Sequence, residues 1–146
     1  MNSIMVKINP VAKPRMTQRD KWDKRPCVMK YWAFKEELLL KAGRFELGDR
    51  LDIKFYIKMP KSWNEKKKER FDMQPHQQKP DKDNLEKGLL DAFRKEDCTI
   101  WDGRVRKFWV NEGTGSIHIK NLWQDLEVAT TTIKLGRNAF NVMRSF

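Results

Sequence analysis

Cysteine and histidine are scarce, with two of each in 146 residues. Cys27 and Cys98 lie far apart and outside any C-x-x-C spacing, which excludes a disulfide framework and a cysteine-based zinc site. Neither His76 nor His118 has the Cys or Ser neighbours of a zinc centre or a catalytic triad. His118 alternates within a strand pattern and reads as structural, and His76 reads as a solvated loop residue. No run approaches the ~20 apolar residues of a membrane span, and the first ten residues lack the apolar stretch of a signal peptide. A reducing, cytoplasmic setting away from membranes is expected. Repeats, low-complexity tracts and linkers are also missing, so residues 1–146 read as a single domain.

Acidic residues are outnumbered, 20 Asp and Glu against 31 Lys and Arg, leaving a formal charge of +11 and a pI near 9.8. That balance favours a polyanionic partner through phosphate neutralisation, with nucleic acid the leading class. A lysine-rich surface kept for solubility would give the same total.

What is present is a mixed set of periodicities. Residues 3–8 and 116–122 read as strands, and 51–57 alternates cleanly, with Leu51, Ile53, Phe55 and Ile57 on one side. Tyr31, Phe34, Leu38 and Ala42 recur at helical spacing, predicting a helix over 28–42 that Gly43 stops. A second helix is expected after Pro80, with Leu85, Leu89, Ala92 and Phe93 on its apolar side. Between them, Ser62 with Glu65 suits the cap of a short helical turn in a charged surface stretch. Residues 99–101 and 105–110 read as short strands, with Gly113 and Gly115 in the following turn. The tail, 123–146, reads as helical. The fold class expected is α/β of the α+β type: a small mixed, mainly antiparallel sheet with two main helices on one face.

The chemistry concentrates in 79–102. Asp81 and Asp83 are two apart where a loop becomes a helix, a place where two carboxylates can converge although helix-face geometry would separate them. Mg²⁺ takes oxygen ligands from a few carboxylates, keeping waters and adding substrate phosphate. Asp102, beside Gly103, is the natural third ligand if the 99–101 strand packs against the helix start. The same residues also suit purely structural roles: Asp81 as an N-cap, Asp83 as a first-turn helix-dipole residue, Asp102 as the Asp of an Asp-Gly turn. Lys87, one turn beyond Asp83, could hold a phosphate or pair with Asp83 as a surface ion pair. Asp91 and Asn84 lie close enough along the helix to support Lys87 or a neighbouring ligand.

Lys79-Pro80-Asp81, Asp83-Asn84-Leu85, Lys87, Leu90-Asp91-Ala92 and Trp101-Asp102 with Val105 together resemble the signature of the RusA-type Holliday junction resolvases. Pro60-Lys61-Ser62-Trp63 and His76 are also similar to members of that family. The resemblance implies that Asp81, Asp83 and Asp102 are metal-binding catalytic carboxylates and Lys87 an essential basic residue. It implies Mg²⁺ as cofactor, with Mn²⁺ as substitute, and a homodimer that cuts branched DNA, a four-way junction, symmetrically. Lys13, Arg15 and Arg19 in the basic loop, then Lys66, Lys67, Lys68 and Arg70, and finally Arg104, are the expected DNA-backbone contacts. The chain departs from the pattern at Lys82, often aliphatic, at Trp101, often acidic, and at Arg104, commonly Gln. The rival reading is a non-catalytic basic protein that binds or packages nucleic acid, its acidic motif serving as cap and solubilising patch.

Overall fold

Residues 2–122 are described by the computed structural model, and the expected C-terminal helix over 123–146 lies outside them. In chain order come β1 (Ser3–Val6), α1 (Pro26–Ala42), β2 (Arg50–Lys58), α2 (Glu65–Phe71), α3 (Lys82–Ala92), β3 (Asp102–Val110) and β4 (Ser116–Asn121). The strands form one sheet in the order β1-β4-β2-β3. β4 pairs antiparallel with both β1 and β2, while β2 and β3 run parallel. A parallel pair needs a long crossover, and the segment carrying α2 and α3 supplies it. The mixed, mainly antiparallel sheet is as expected, with three helices where two had been predicted.

The alternation in β2 does what its period requires. Leu51, Ile53, Phe55 and Ile57 are buried, and they meet Ile117 and Ile119 of β4, Tyr31, Phe34 and Leu38 of α1, and Leu85 and Leu89 of α3. Each such side chain contributes about 1.5–3 kcal/mol of transfer free energy when fully buried. α1 begins at Pro26, two residues before the expected start, because proline at the first helical positions loses no hydrogen bond. It ends at Gly43, whose φ of 60° is the left-handed conformation that glycine adopts without strain.

Four local readings are corrected. The cap of α2 is Asn64, whose side chain accepts from the Lys67 amide at 2.8 Å, and Ser62 stays outside the helix. Residues 99–101 form no strand: a 3₁₀ turn spans Asp97–Thr99, and β3 starts at Asp102 itself. The basic loop contains a 3₁₀ turn, Gln18–Lys21, whose Asp20 is buried and takes two hydrogen bonds from Arg25, each 2.7 Å. His76 is not solvated. It is 4% exposed, with its ring 4.0 Å from that of Trp109.

The reason for the last correction also positions the site. Residues 73–76 run along the outer edge of β3, with Met73 N donating to Trp109 O, Trp109 N to Gln74 O and His76 N to Lys107 O. A stretch that reads as polar loop thereby covers an exposed sheet edge. It also delivers the chain to the start of α3.

Candidate active site

Lys107 fixes the approach to α3. It is half-buried on β3, and its Nζ donates to Gln78 O at 2.8 Å and to Pro80 O at 2.7 Å. Burial pushes its pKa down, and the nearby Asp81 carboxylate pulls the other way. Asp81 then occupies the N-cap position with extended backbone, but its side chain makes no capping bond. Asp83 follows in the first turn, where the helix dipole favours a negative charge. Both are exposed, and among the described residues neither belongs to an ion pair. Glu86, one turn on, is held above the ordinary glutamate range, chiefly by burial and then by Asp97 and Asp83. The start of α3 is therefore a local excess of negative charge, suited to a hard cation.

The next face of α3 meets the basic loop. Asp91 pairs with Lys13, not with Lys87 as expected. The Lys13 amide also donates to Asn84 O at 3.3 Å, tying loop and helix together through the backbone. Lys87 is left exposed, and with Lys13, Arg15 and Asn84 it lines an open cleft of about 490 Å³ beside the two aspartates.

Asp102 stands elsewhere. Its Oδ2 accepts from Arg50 Nε at 2.5 Å, and the two are register partners at the start of the parallel β2–β3 pair. Side chains of paired residues share a face, so Asp102 belongs with Asp52, Lys54 and Arg106, opposite the face that buries Leu51 and Ile53 beneath α3. It is also five positions from Lys107 along β3, roughly 16 Å at ~3.3 Å per residue. Among the described residues, no group of three or more His, Cys, Asp or Glu side chains is placed to hold a metal ion. One protomer thus brings together Asp81 and Asp83, and it leaves Asp102 on the other side of the sheet, where the expected 99–101 strand would have had to carry it round.

The expected DNA contacts fall in two groups on the helix side and one outlier. Arg15 and Arg19 are exposed on the loop, and Lys66, Lys67 and Arg70 are exposed on α2. Lys67 lies over the Trp63 ring at 4.1 Å, and Lys68 is half-buried near Glu65. Arg104 is exposed on the face that carries Asp102. Three residues escaped sequence reasoning: Lys107, Arg50 and the buried Asp20 that holds Arg25. Asp20 is recognisable only through its partner, and Arg25 together with the Thr17 amide holds its carboxyl down at about 2.

No curated relative matches the chain. The model of one family does match, that of the endodeoxyribonuclease RusA, over residues 7–120, a span that takes in the basic loop, Asp81, Asp83, Lys87 and Asp102. A charged cleft beside two free carboxylates is a fitting place for phosphodiester hydrolysis, and the chain belongs to the RusA family of endodeoxyribonucleases, crossover junction resolvases that act on branched DNA and depend in general on a divalent metal.

Proposed function

We propose that the protein is a Mg²⁺-dependent, structure-selective endodeoxyribonuclease that works as a homodimer on four-way DNA junctions, in recombination and repair or in phage DNA processing. Mn²⁺ substitutes for Mg²⁺ in this reading, and the setting is the cytoplasm of a bacterial or phage-infected cell. The observation that carries it is the pair of exposed carboxylates, Asp81 and Asp83, standing unpaired beside a cleft of cations. Two carboxylates and a substrate phosphate are an ordinary ligand set for Mg²⁺, which retains water in its remaining positions. When bound, the ion activates water and offsets charge on the phosphate under attack. Lys87 holds a non-bridging phosphate oxygen and stabilises the charge that grows there. Lys107 keeps the Asp81 loop fixed through Gln78 and Pro80, so that the carboxylates meet the phosphate already oriented.

Asp102 enters as a ligand from the second copy. Within one protomer it is paired with Arg50 on the opposite sheet face, and two-fold assembly is the simplest way to bring it to an Asp81–Asp83 pair. The test uses a synthetic four-way junction with and without Mg²⁺. The natural chain should cut only with the metal, and Asp83→Asn should bind the junction but cut at least ~100-fold more slowly, beyond the loss typical of a residue that merely supports a ligand. Absence of incision by the natural chain in Mg²⁺ and in Mn²⁺ would leave a DNA-binding protein. Mixing Asp83→Asn with Asp102→Asn protomers then locates Asp102: a site shared between subunits regains one intact copy per mixed dimer and nicks the junction. A site closed within each subunit regains none.

A further inference from the structure

We infer that Lys13, Arg15 and Lys87 form a preorganised seat for a DNA backbone phosphate along α3, and that Asp91 is the positioning residue that holds Lys13 in it. The inference rests on the nuclease reading for the identity of the anion, and on the structure for the seat.

A basic loop on a protein surface is ordinarily a set of mobile charges, each giving up side-chain entropy when it binds. This loop is built differently. Lys13 is held at its head group by Asp91 and at its amide by Asn84 O. Arg15 is held through its carbonyl, which accepts from Arg25 Nη2 at 2.9 Å, and Arg25 is in turn fixed by the buried Asp20. The helix is shaped to receive the loop. A Cβ at Gly88 would come within 3.1 Å of the Lys13 amide nitrogen and 3.3 Å of Val11 O. Tyr31 Oη donates to Gly88 O at 2.9 Å, fixing the same turn of α3 from the core side. Asp91 is thus the only charge that the seat sets against Lys13, and it leaves the exposed Lys87 and Arg15 uncompensated at the cleft. Three cations converge on one space, with Asn84 at its wall and Asp83 next to it in the chain. A phosphodiester is the ligand that matches three donors of that charge.

The experiment measures binding of a fluorescent four-way junction in EDTA across a salt series, and cutting of the same junction in Mg²⁺. Lys13→Met should lower the slope of log K against log salt by ~1, as expected for one lost phosphate contact, and Lys13→Arg should keep that slope. Asp91→Asn leaves the positive charge in place, so its slope should match the natural chain while its cutting falls. In the double variant Lys13→Met with Asp91→Asn, cutting should fall no further than with Lys13→Met alone, because Asp91 acts only through Lys13. An unchanged slope in Lys13→Met, or additive losses in the double variant, would overturn the proposal and reduce the pair to a structural tether, which a lowered Tm would register. The two readings fail separately. A natural chain that cuts nothing while Lys13→Met still lowers the slope removes the nuclease and keeps the seat. A natural chain that cuts, with Lys13→Met indifferent in both assays, does the reverse.

Discussion

On the face that α1 and α3 cover, the sheet offers Leu51, Ile53, Phe55 and Ile57, and charge is pushed to the rim, where Asp81, Asp83, Lys87 and Lys13 stand. On the open face, charge lies in the middle of the sheet and is neutralised locally, Asp102 by Arg50 and Asp52 by Arg106. A carboxylate already bonded to a guanidinium must give up that bond before it can bind a metal ion, whereas one standing alone at a rim need not. The availability of an acid to a cation therefore depends on which side of the sheet its strand or helix presents, more than on its place in a motif.

The strongest way to break this contrast is to loosen the covered face. Leu89→Ala, at a position with 0% exposure, should cost about 2–5 kcal/mol in a denaturant titration and lower cutting as α3 loses its support. The open face should answer more weakly. Asp52→Ala leaves Arg106, whose Nε is already without a partner, with one acceptor fewer, and should cost about 1 kcal/mol on a half-exposed surface. A cost equal to that of Leu89→Ala would show that the open face is buried in the working protein.

The two histidines sharpen the contrast by pH. Burial lowers the pKa of both, more completely around His76, with Lys107 adding to the effect there and Lys54 at His118. The unfolded chain then takes up protons more readily than the folded one below the ordinary value of 6.5, so this contribution is whole above pH 6.5 and is lost as pH falls through the lower folded pKa. His76→Gln should flatten that acid-side loss, measured as Tm against pH, and His118→Gln should flatten it less. Smallest in stability is the change at α2, a helix with no buried residue. Lys66, Lys67 and Lys68 replaced together by Ala should shift stability by no more than about 0.5 kcal/mol per site. The same triple variant should weaken junction binding and reduce its salt slope by up to ~3, because these cations depend on nothing else in the fold.

The elements that repeat were legible in the sequence. Tyr31, Phe34 and Leu38 announced α1, Leu85 and Leu89 announced α3, and the alternation of 51–57 announced β2, because each period is a local property of the chain. Asp81 and Asp83 were legible for the same reason, both lying at one loop-to-helix junction. What could not be read depends on register and on distant contacts. The pairing of Arg50 with Asp102 follows from β2 and β3 lying parallel in one particular alignment, and that of Lys13 with Asp91 joins residues 78 apart. His76 looks like loop because its neighbours are polar, and it is buried because backbone, not side chains, pairs 73–76 with β3.

That same backbone pairing has a bearing on assembly. One flank of the ribbon is already occupied by the chain's own upstream turn, including the bridge between Pro75 and Phe108, so no foreign strand can zip onto it there. Among the described residues the free flank is β1, four residues long. If two copies join by continuing one sheet, they meet back to back along that short strand, at the far end of the sheet from β3.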